Sequence, residues 1–291
     1  MAERLTFISA GTRCVAQLYR GAGTGGACVV LCTGFGGTQD TPALVATARD
    51  FARAGYHAVT FDYRSFGLSD GQPRQVVSIA GQLDDIAAAL ACARGLDGVD
   101  PERIVLWGTS LGGGHVIAAA SRDPGVAAVI AQIPFNGFPR RVQGRSLGGT
   151  VRLLAAMVGD WLRGKLRLPP WYLPAVGGPG EFAVMASAEA HRVIAGMDSP
   201  TWRNEVAPRA LLEMMRYRPA QFAPRVACPV LVCIGDRDAE TPPELSGALA
   251  EAVPHGELKS YPVPHFEFYT DAIRPQVVAD QIAFLRRVTA A

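Results

Sequence analysis

The chain has 291 residues, with 28 lysines and arginines against 26 aspartates and glutamates and a net charge of +2 at pH 7. This small charge excludes a function that depends on bulk positive charge, so we expect neither a nucleic-acid partner nor binding to a membrane surface. Apolar residues make up 49% of the chain, which is long enough to bury a core without disulfide or metal staples.

Two short strands are predicted at residues 3–9 and 13–19, around a turn at Gly11. The continuous apolar run at 27–32 is typical of a strand that is covered on both faces, as in a parallel sheet. Helix and strand patterns alternate after it. The predicted helices are 42–54, 76–94, 111–121, 243–253 and 274–288, and the further strands are 57–62, 103–107, 126–133, 229–234 and 257–262. Such alternation with short connections predicts an α/β fold, with a mostly parallel sheet flanked by helices.

One interval, between residues 137 and 225, contains no clear strand–helix unit. Its pattern is helical, with interruptions by a proline pair and by a run of glycines around a proline. We interpret 137–225 as a helical cap that is inserted after the sixth strand, over the carboxyl edge of the sheet. Residues 1–136 and 226–291 would then form the α/β core.

The motif G-x-S-x-G, typical of a nucleophile elbow, occurs three times, centred on Ser69, Ser110 and Ser146. An elbow needs a strand that runs into a sharp turn and then a helix. Only Ser110 has a predicted strand before it and a predicted helix after it. Glycine and proline follow Ser69 in a loop pattern, and no strand pattern precedes Ser146. The context therefore predicts Ser110 as the nucleophile and the other two as surface-loop serines.

A serine nucleophile needs a base and an orienting acid, which are expected at the same sheet edge in the order Ser, Asp or Glu, His. His265 directly follows the last predicted strand, and His191 in the predicted cap is its competitor. Asp236 and Asp238 both follow the strand 229–234. We predict His265 as the base and Asp238, deeper in its loop, as the acid, with Asp236 as the alternative acid.

An oxyanion hole is expected from two backbone N–H groups at this edge. One belongs to the residue after the nucleophile, which is Leu111. The other should come from the glycine-rich loop 34–37 after the first parallel strand, where we predict Phe35.

These segments together resemble the α/β-hydrolase superfamily. The matching segments are Thr33-Gly34-Phe35-Gly36, the run 62–69, Gly108-Thr109-Ser110-Leu111-Gly112, Gly235-Asp236-Arg237-Asp238 and His265. The ending 265–269 is similar to a branch with dienelactone hydrolases, acetyl-xylan-esterase-like proteins and polyketide acyl hydrolases or transferases. The resemblance covers residues 25–135 and 225–290. Thr33 replaces the usual His, and Ser65 replaces the usual Gly.

The resemblance implies a serine hydrolase that cleaves a carboxylic ester or thioester through an acyl-enzyme on Ser110. His265 would take the serine proton, and the N–H groups of Phe35 and Leu111 would hold the oxyanion, with no cofactor and no metal. An acyltransferase or cyclase in a biosynthetic pathway would use the same triad. A non-enzymatic ligand-binding module is a third alternative, and the complete triad argues against it.

The predicted cap holds three of the four tryptophans and five of the six methionines. These side chains would suit an apolar acyl group, but they would equally form the core of the cap itself. We therefore expect a small-molecule acyl substrate of apolar character as the partner, and the sequence allows a homodimer without specifying one.

A basic segment spans residues 140–167 of the predicted cap. Its basic residues are Arg140, Arg141, Arg145, Arg152, Arg163, Lys165 and Arg167, against the single acid Asp160. The pattern favours a solvated helix face, with a site for an anionic handle of a thioester substrate as the alternative.

The six cysteines form no C-x-x-C pair and no Cys/His metal spacing. We expect free thiols in a reducing compartment. The first residues lack the basic and apolar regions of a signal peptide, and no apolar stretch approaches about 18 residues. The sequence therefore predicts a cytoplasmic protein without a membrane span.

Overall fold

The computed structural model describes residues 2–138 and 147–289, and an eight-stranded sheet lies at their centre. The strands are β1 (Glu3–Ser9), β2 (Thr12–Tyr19), β3 (Cys28–Cys32), β4 (His57–Phe61), β5 (Ile104–Thr109), β6 (Val126–Gln132), β7 (Val176–Gly177), β8 (Met185–Ala186), β9 (Val230–Gly235) and β10 (Gly256–Tyr261). The helices are α1 (Pro42–Arg53), α2 (Ile79–Arg94), α3 (Leu111–Ala120), α4 (Leu147–Lys165), α5 (Ala188–Met197), α6 (Ala210–Met214), α7 (Pro243–Ala252) and α8 (Arg274–Val288).

The strand order of the main sheet is β1-β2-β4-β3-β5-β6-β9-β10. The strands from β4 to β10 in this order pair in parallel, whereas β1 with β2 and β2 with β4 pair antiparallel. Every residue of β3, β4, β5 and β9 is buried, because helices cover both faces of the sheet. The predicted α/β fold and its mostly parallel sheet are confirmed.

Two apolar cores lie on opposite faces of the sheet. Because successive side chains of a strand point to opposite faces, each strand contributes side chains to both cores. In β3, Val30 points into the core that contains Ile86 of α2 and Ile117 of α3. Its neighbour Leu31 points into the core that contains Phe51 of α1 and also Phe284 of α8. The parallel strands are thus held between two helical layers, and their carboxyl ends meet at one edge.

The insertion after β6 carries α4, α5 and α6, as the helical pattern predicts. It also contains a two-stranded parallel sheet of β7 and β8, which the sequence analysis does not predict. Its interior is braced by the fully buried carboxylate of Asp160, which accepts hydrogen bonds from the Arg209 guanidinium (2.7 Å from Nε) and from the backbone N–H of Trp171 (2.8 Å). The cap boundaries at 137 and 225 stay a prediction.

Side chains of the core hold the cap above the sheet. The carboxylate of Asp40, in the loop after β3, accepts hydrogen bonds from the hydroxyls of Ser199 (2.8 Å) and Thr201 (2.7 Å). The side-chain amide of Gln75 donates to the carbonyl of Glu205 (2.8 Å).

None of the described helices has both the length and the apolarity that crossing a membrane requires.

Candidate active site

Ser110 lies between β5 and α3 in a strained backbone conformation, with φ of 53° and ψ of −119°. A positive φ is costly for a residue with a side chain and is typical of a nucleophile held at a sharp strand–helix turn. The turn is closed by the two glycines of the motif. A Cβ at Gly108 would collide with the carbonyl of Gly112, and a Cβ at Gly112 would collide with the carbonyl of Thr33. Larger residues would therefore push the elbow open.

The other two copies of the motif differ from this arrangement. Ser69 is only 2% exposed, so its prediction as a surface-loop serine is wrong. Its hydroxyl donates to the carbonyl of Asp62 (2.6 Å) and accepts from the backbone N–H of Val15 (2.9 Å), which ties the loop after β4 to β2. Ser146 lies outside the described residues, together with Arg140, Arg141 and Arg145 of the basic segment.

His265 and Asp238 form a buried pair at the carboxyl edge of the sheet. Nδ1 of His265 lies 2.7 Å from Oδ2 of Asp238, in a turn that follows β10. The other carboxylate oxygen accepts from the backbone N–H groups of Glu240 (2.9 Å) and Thr241 (2.7 Å). The hydroxyl of Thr241 donates to Oδ2 of Asp238 at 2.8 Å. The Asp238 carboxylate is therefore fully engaged in orienting the imidazole.

The alternatives for acid and base are placed elsewhere. Asp236 is exposed, and its carboxylate contacts the hydroxyl of Ser260. His191 is exposed on α5, outside the linings of the cavities around Ser110. The structure thus brings Asp238 and His265 together and leaves Asp236 and His191 apart from them.

Opposing effects act on the pKa values of the pair. Burial lowers the pKa of His265, but the adjacent Asp238 carboxylate outweighs it, and the pKa of His265 is raised above its ordinary value of 6.5. Burial raises the pKa of Asp238, but His265 and the hydrogen bonds from Thr241 hold that pKa below its ordinary value. Asp238 is therefore ionised at neutral pH, so Nδ1 of His265 carries the proton and Nε2 is left for proton transfer.

The predicted oxyanion donors flank Ser110. Leu111 is the first residue of α3, so its N–H has no partner within the helix. Phe35 follows β3 in a turn that is closed by a hydrogen bond from Gly37 N–H to the Gly34 carbonyl (3.2 Å). The hydroxyl of Thr33 donates to the carbonyl of Gly37 at 3.3 Å and braces the same turn.

Among the described residues, two cavities meet at Ser110 and share only Phe35, Ser110 and Met185 in their linings. The larger cavity, of about 570 Å³, is lined by His265, and we call it the histidine-side cavity. The smaller cavity, of about 380 Å³, is lined by Leu111, and we call it the cap-side cavity. The hydrogen bonds of the described residues do not include one between Ser110 and His265, and such bonds often tighten only with bound substrate.

The described part of the basic segment does not reach these cavities. Arg152 lies over the ring of Phe182, with its guanidinium carbon 4.0 Å from the ring centroid. Arg163 lies over Trp171 at 5.2 Å in the same way. Of the basic residues that the structure describes in this segment, none lines either cavity. Arg152 and Arg163 thus pack on aromatic rings of the cap, and the role of the basic segment as a whole stays a prediction.

Two residues near the site, Thr241 and Glu189, were missed by the sequence analysis. The Asp238 side chain closes an Asx turn with the N–H of Glu240, which brings Thr241 next to the carboxylate, so a local signal existed. Glu189 in α5 reaches the site only through the docking of the cap, which no local pattern reveals. Met185 in β8, one of the cap methionines considered for an apolar acyl group, lines both cavities. Within residues 2–138 and 147–289, no group of three or more His, Cys, Asp or Glu side chains could hold a metal ion.

Comparisons with known proteins show which family the fold belongs to. The family model described as serine aminopeptidase, S33 (Hydrolase_4) matches residues 25–267. A protein of Acinetobacter baumannii (strain MDR-ZJ06) named quorum-quenching protein AidA is 38% identical over 289 residues, covering 97% of this chain and 93% of its own length. The polyketide transferase ATR5 of Stachybotrys chlorohalonatus (strain IBT 40285) is 29% identical, covering 77% of this chain and 75% of its own. Proteins named thiohydrolases match as well.

Solved structures share the complete fold. The structure of DcsB in complex with its substrate analogue has a TM-score of 0.84, with full coverage of both chains. Its sequence is 22% identical to this chain, so this likeness shows the fold alone.

Proposed function

Because the chain belongs to the serine aminopeptidase S33 family of α/β hydrolases, we propose that it hydrolyses a carboxylic ester or thioester through an acyl-enzyme on Ser110. One observation carries this proposal. The buried pair of His265 and Asp238, joined at 2.7 Å, lies beside the cavity into which the strained Ser110 faces. A nucleophile on a strained turn, a base and an orienting carboxylate are the parts that acyl transfer requires.

The geometry supports the following sequence of steps. Oγ of Ser110 attacks the acyl carbon while its proton moves to Nε2 of His265. The negative charge that develops on the carbonyl oxygen is held by the N–H groups of Phe35 and Leu111. The bond from the acyl carbon to the leaving oxygen or sulfur then breaks, and His265 returns the proton to that atom.

Deacylation repeats these steps with water. Nε2 of His265 takes a proton from water, and the resulting oxygen nucleophile attacks the acyl carbon. The ester bond to Ser110 breaks, the serine oxygen regains the proton from His265, and the acid leaves. Asp238 stabilises the imidazolium of His265 during both acylation and deacylation and remains a carboxylate throughout.

A second candidate function sends the acyl group to an acceptor other than water. The histidine-side cavity, of about 570 Å³, has room for a small-molecule acceptor next to His265. An acyltransferase or cyclase would use the same triad, and ATR5 is a relative that is named a polyketide transferase. Product analysis with candidate alcohols and amines present separates the two. Hydrolysis alone favours the first function, and an ester or amide product favours the second.

A fluorophosphonate probe tests the acyl-enzyme itself. We expect the wild-type protein to be labelled on Ser110 and the Ser110→Ala variant to lose the label. Ser146→Ala, in the third copy of the motif, is the matched control and should be labelled like the wild type. A labelled Ser110→Ala variant would rule out Ser110 as the nucleophile, and an unlabelled wild type would favour a ligand-binding module.

We further propose a small apolar acyl compound as the partner and the cytoplasm as the location. All six cysteines are free, and Cys14, Cys28, Cys32 and Cys233 are buried, which suits a reducing compartment. A homodimer is compatible with this proposal and is tested by light scattering.

A further inference from the structure

The two cavities that meet at Ser110 differ in their chemistry, and only one of them is lined by His265. We infer that the cap-side cavity binds the acyl chain, and that the histidine-side cavity binds first the leaving group and then the incoming nucleophile. This assignment rests on the proposed acyl-enzyme function and adds the class of substrate: an apolar acyl group on a more polar alcohol or thiol.

Proton transfer places the leaving group. The leaving oxygen or sulfur has to receive its proton from Nε2 of His265, so it must lie within hydrogen-bond reach of that nitrogen. His265 lines the histidine-side cavity and is not part of the cap-side lining. The nucleophile that releases the acyl group loses its proton to the same nitrogen, so it must enter through the same cavity.

The predicted oxyanion donors place the acyl chain. The carbonyl oxygen would lie between the N–H groups of Phe35 and Leu111. Phe35 lines both cavities, whereas Leu111 lines only the cap-side cavity. Once the carbonyl oxygen is at these donors and the leaving group is beside His265, the remaining substituent of the acyl carbon points into the cap-side cavity.

The linings agree with this division. The cap-side cavity is mostly apolar, and its lining includes Phe135, Leu153, Leu154, Met157, Met214 and Met215. Methionine side chains adapt to irregular apolar ligands, and a volume of about 380 Å³ is enough for a medium-length or folded aliphatic chain. The histidine-side lining is more polar and includes Thr33, Thr41, Thr47, Arg192, Asp271 and Arg274.

Two substitutions fill one cavity each. Leu154 on α4 lines the cap-side cavity and is 42% exposed, so Leu154→Trp adds bulk there without replacing a core side chain. Gly196 on α5 lines the histidine-side cavity, and a Cβ built on it meets no atom within 4 Å, so Gly196→Phe adds bulk on that side. Val158→Trp is the matched control, because Val158 lies one turn after Leu154 on α4, is also exposed and lines neither cavity.

The experiment measures kcat/KM for two series of esters with each purified variant. One series keeps p-nitrophenol and lengthens the acyl group from acetate through butyrate and octanoate to decanoate. The other keeps butyrate and enlarges the alcohol from ethanol to benzyl alcohol. One methylene in an apolar pocket changes kcat/KM by roughly tenfold or more. We therefore expect Leu154→Trp to lower decanoate hydrolysis at least about tenfold relative to acetate, with the alcohol profile unchanged.

Gly196→Phe should give the converse, a loss for benzyl against ethyl esters with the acyl-length profile unchanged, and Val158→Trp should alter neither profile. The assignment is overturned if Leu154→Trp changes the alcohol profile and Gly196→Phe changes the acyl-length profile. It is also overturned if neither variant changes either profile. A thermal melt checks folding, and Met215→Trp, also at an exposed position of the cap-side lining, replaces Leu154→Trp if that variant does not fold. A wild type without Ser110-dependent hydrolysis of any ester refutes the proposed function instead.

Discussion

The carboxylate of Glu189, on cap helix α5, accepts a hydrogen bond of 2.7 Å from the backbone N–H of Phe266, the residue after His265. The cap is thereby attached to the turn that carries the base of the candidate triad. Burial raises the pKa of Glu189, and its negative charge is one of several that raise the pKa of His265 against the lowering effect of burial. Glu189 is thus a positioning residue that also acts on the electrostatics of the site.

We expect the two roles of Glu189 to separate in two variants. Glu189→Gln keeps an oxygen acceptor for the N–H of Phe266 but loses the charge, so the acid limb of kcat/KM should shift to lower pH at a nearly unchanged plateau. Glu189→Ala also loses the acceptor, and its plateau should fall by about tenfold, as for the loss of one charge-assisted hydrogen bond. The readout is the pH profile of kcat/KM.

Glu181→Gln is the control for Glu189, because the Glu181 carboxylate accepts from the backbone N–H of Gly178 inside the cap. Glu181→Gln should leave the pH profile of kcat/KM unchanged. An identical profile for Glu189→Gln and wild type would show that the charge of Glu189 does not reach His265.

A second prediction concerns the acid limb of the wild-type protein. His265 acts as a base only when neutral, and its pKa is raised above 6.5, because the Asp238 carboxylate outweighs burial. We therefore expect kcat/KM to rise with pH through a midpoint above 6.5. Asp238→Asn should move this limb to lower pH and reduce kcat on the order of 10⁴-fold, because the imidazole loses its oriented tautomer.

Asp236→Asn tests whether the effect belongs to Asp238. Asp236, the alternative acid that the sequence offers, is exposed, so its variant should keep the wild-type profile. A loss in Asp236→Asn as large as the loss in Asp238→Asn would contradict the assignment of the acid.

A third prediction concerns the Thr241 hydroxyl, which lies 2.8 Å from Oδ2 of Asp238 and 3.1 Å from the carbonyl of Ile133. Thr241→Val keeps the shape of the side chain but removes the O–H that donates to the buried Oδ2 of Asp238. The free energy of unfolding should fall by about 1–2 kcal/mol, measured by urea denaturation. We expect kcat to fall by about tenfold, since the Thr241 backbone N–H still holds the Asp238 carboxylate.

Thr241→Ser restores the hydroxyl and should recover both quantities. If Thr241→Ser is as impaired as Thr241→Val, the methyl group and not the hydrogen bond is what matters at this position.

The fourth prediction concerns acid stability and His115, a fully buried residue of α3. Its nitrogens lie 3.0 Å from the hydroxyl of Tyr217 and 3.0 Å from the side-chain oxygen of Gln82. Burial lowers the pKa of His115 to about 3, so between that pH and 6.5 the unfolded chain binds a proton that the folded chain does not. The free energy of unfolding therefore falls as the pH drops below 6.5, by up to about 1.4 kcal/mol per pH unit from this residue.

His115→Gln removes the titrating group and keeps a donor that can reach Gln82. Its unfolding free energy, followed by urea denaturation from pH 7 to pH 4, should show a shallower decline than the wild type, whatever its absolute stability. Parallel curves for the two proteins would mean that His115 does not contribute to acid unfolding.

The sequence predicts the sheet closely, because central strands such as β3 and β9 are continuous apolar runs. The strand expected at 27–32 is β3, which begins one residue later, and the helix expected at 274–288 is α8 as predicted. The apolar pattern predicts that α2 starts at 76, but the helix begins at Ile79. Ser78 is the N-cap, and its hydroxyl accepts from the N–H of Gly81 at 3.4 Å. The N-cap hydrogen bond of Ser78 thus fixes the start of α2, although the apolar pattern extends further toward the N-terminus.

Features that depend on distant contacts could not be predicted in this way. The burial of Ser69 requires the backbone of Val15 in β2, and the pair β7 and β8 is too short for a strand pattern. Ser65, which replaces the usual glycine of the resembled family, nevertheless has a positive φ of 72°. The predicted triad follows from motif order, whereas Met185 and Glu189 become neighbours of the site only through tertiary packing of the cap.

The absence of a side chain at Gly112 makes room for the carbonyl of Thr33, and this joins the elbow to the oxyanion loop. The two segments therefore fit together as one piece, and a graft of either turn into another scaffold has to carry the other. The cap takes no part in the contact between Gly112 and Thr33, so this contact does not restrict the residues of the cap. Natural or laboratory evolution can exchange its lining for a new one while the piece that performs the chemistry is passed on intact.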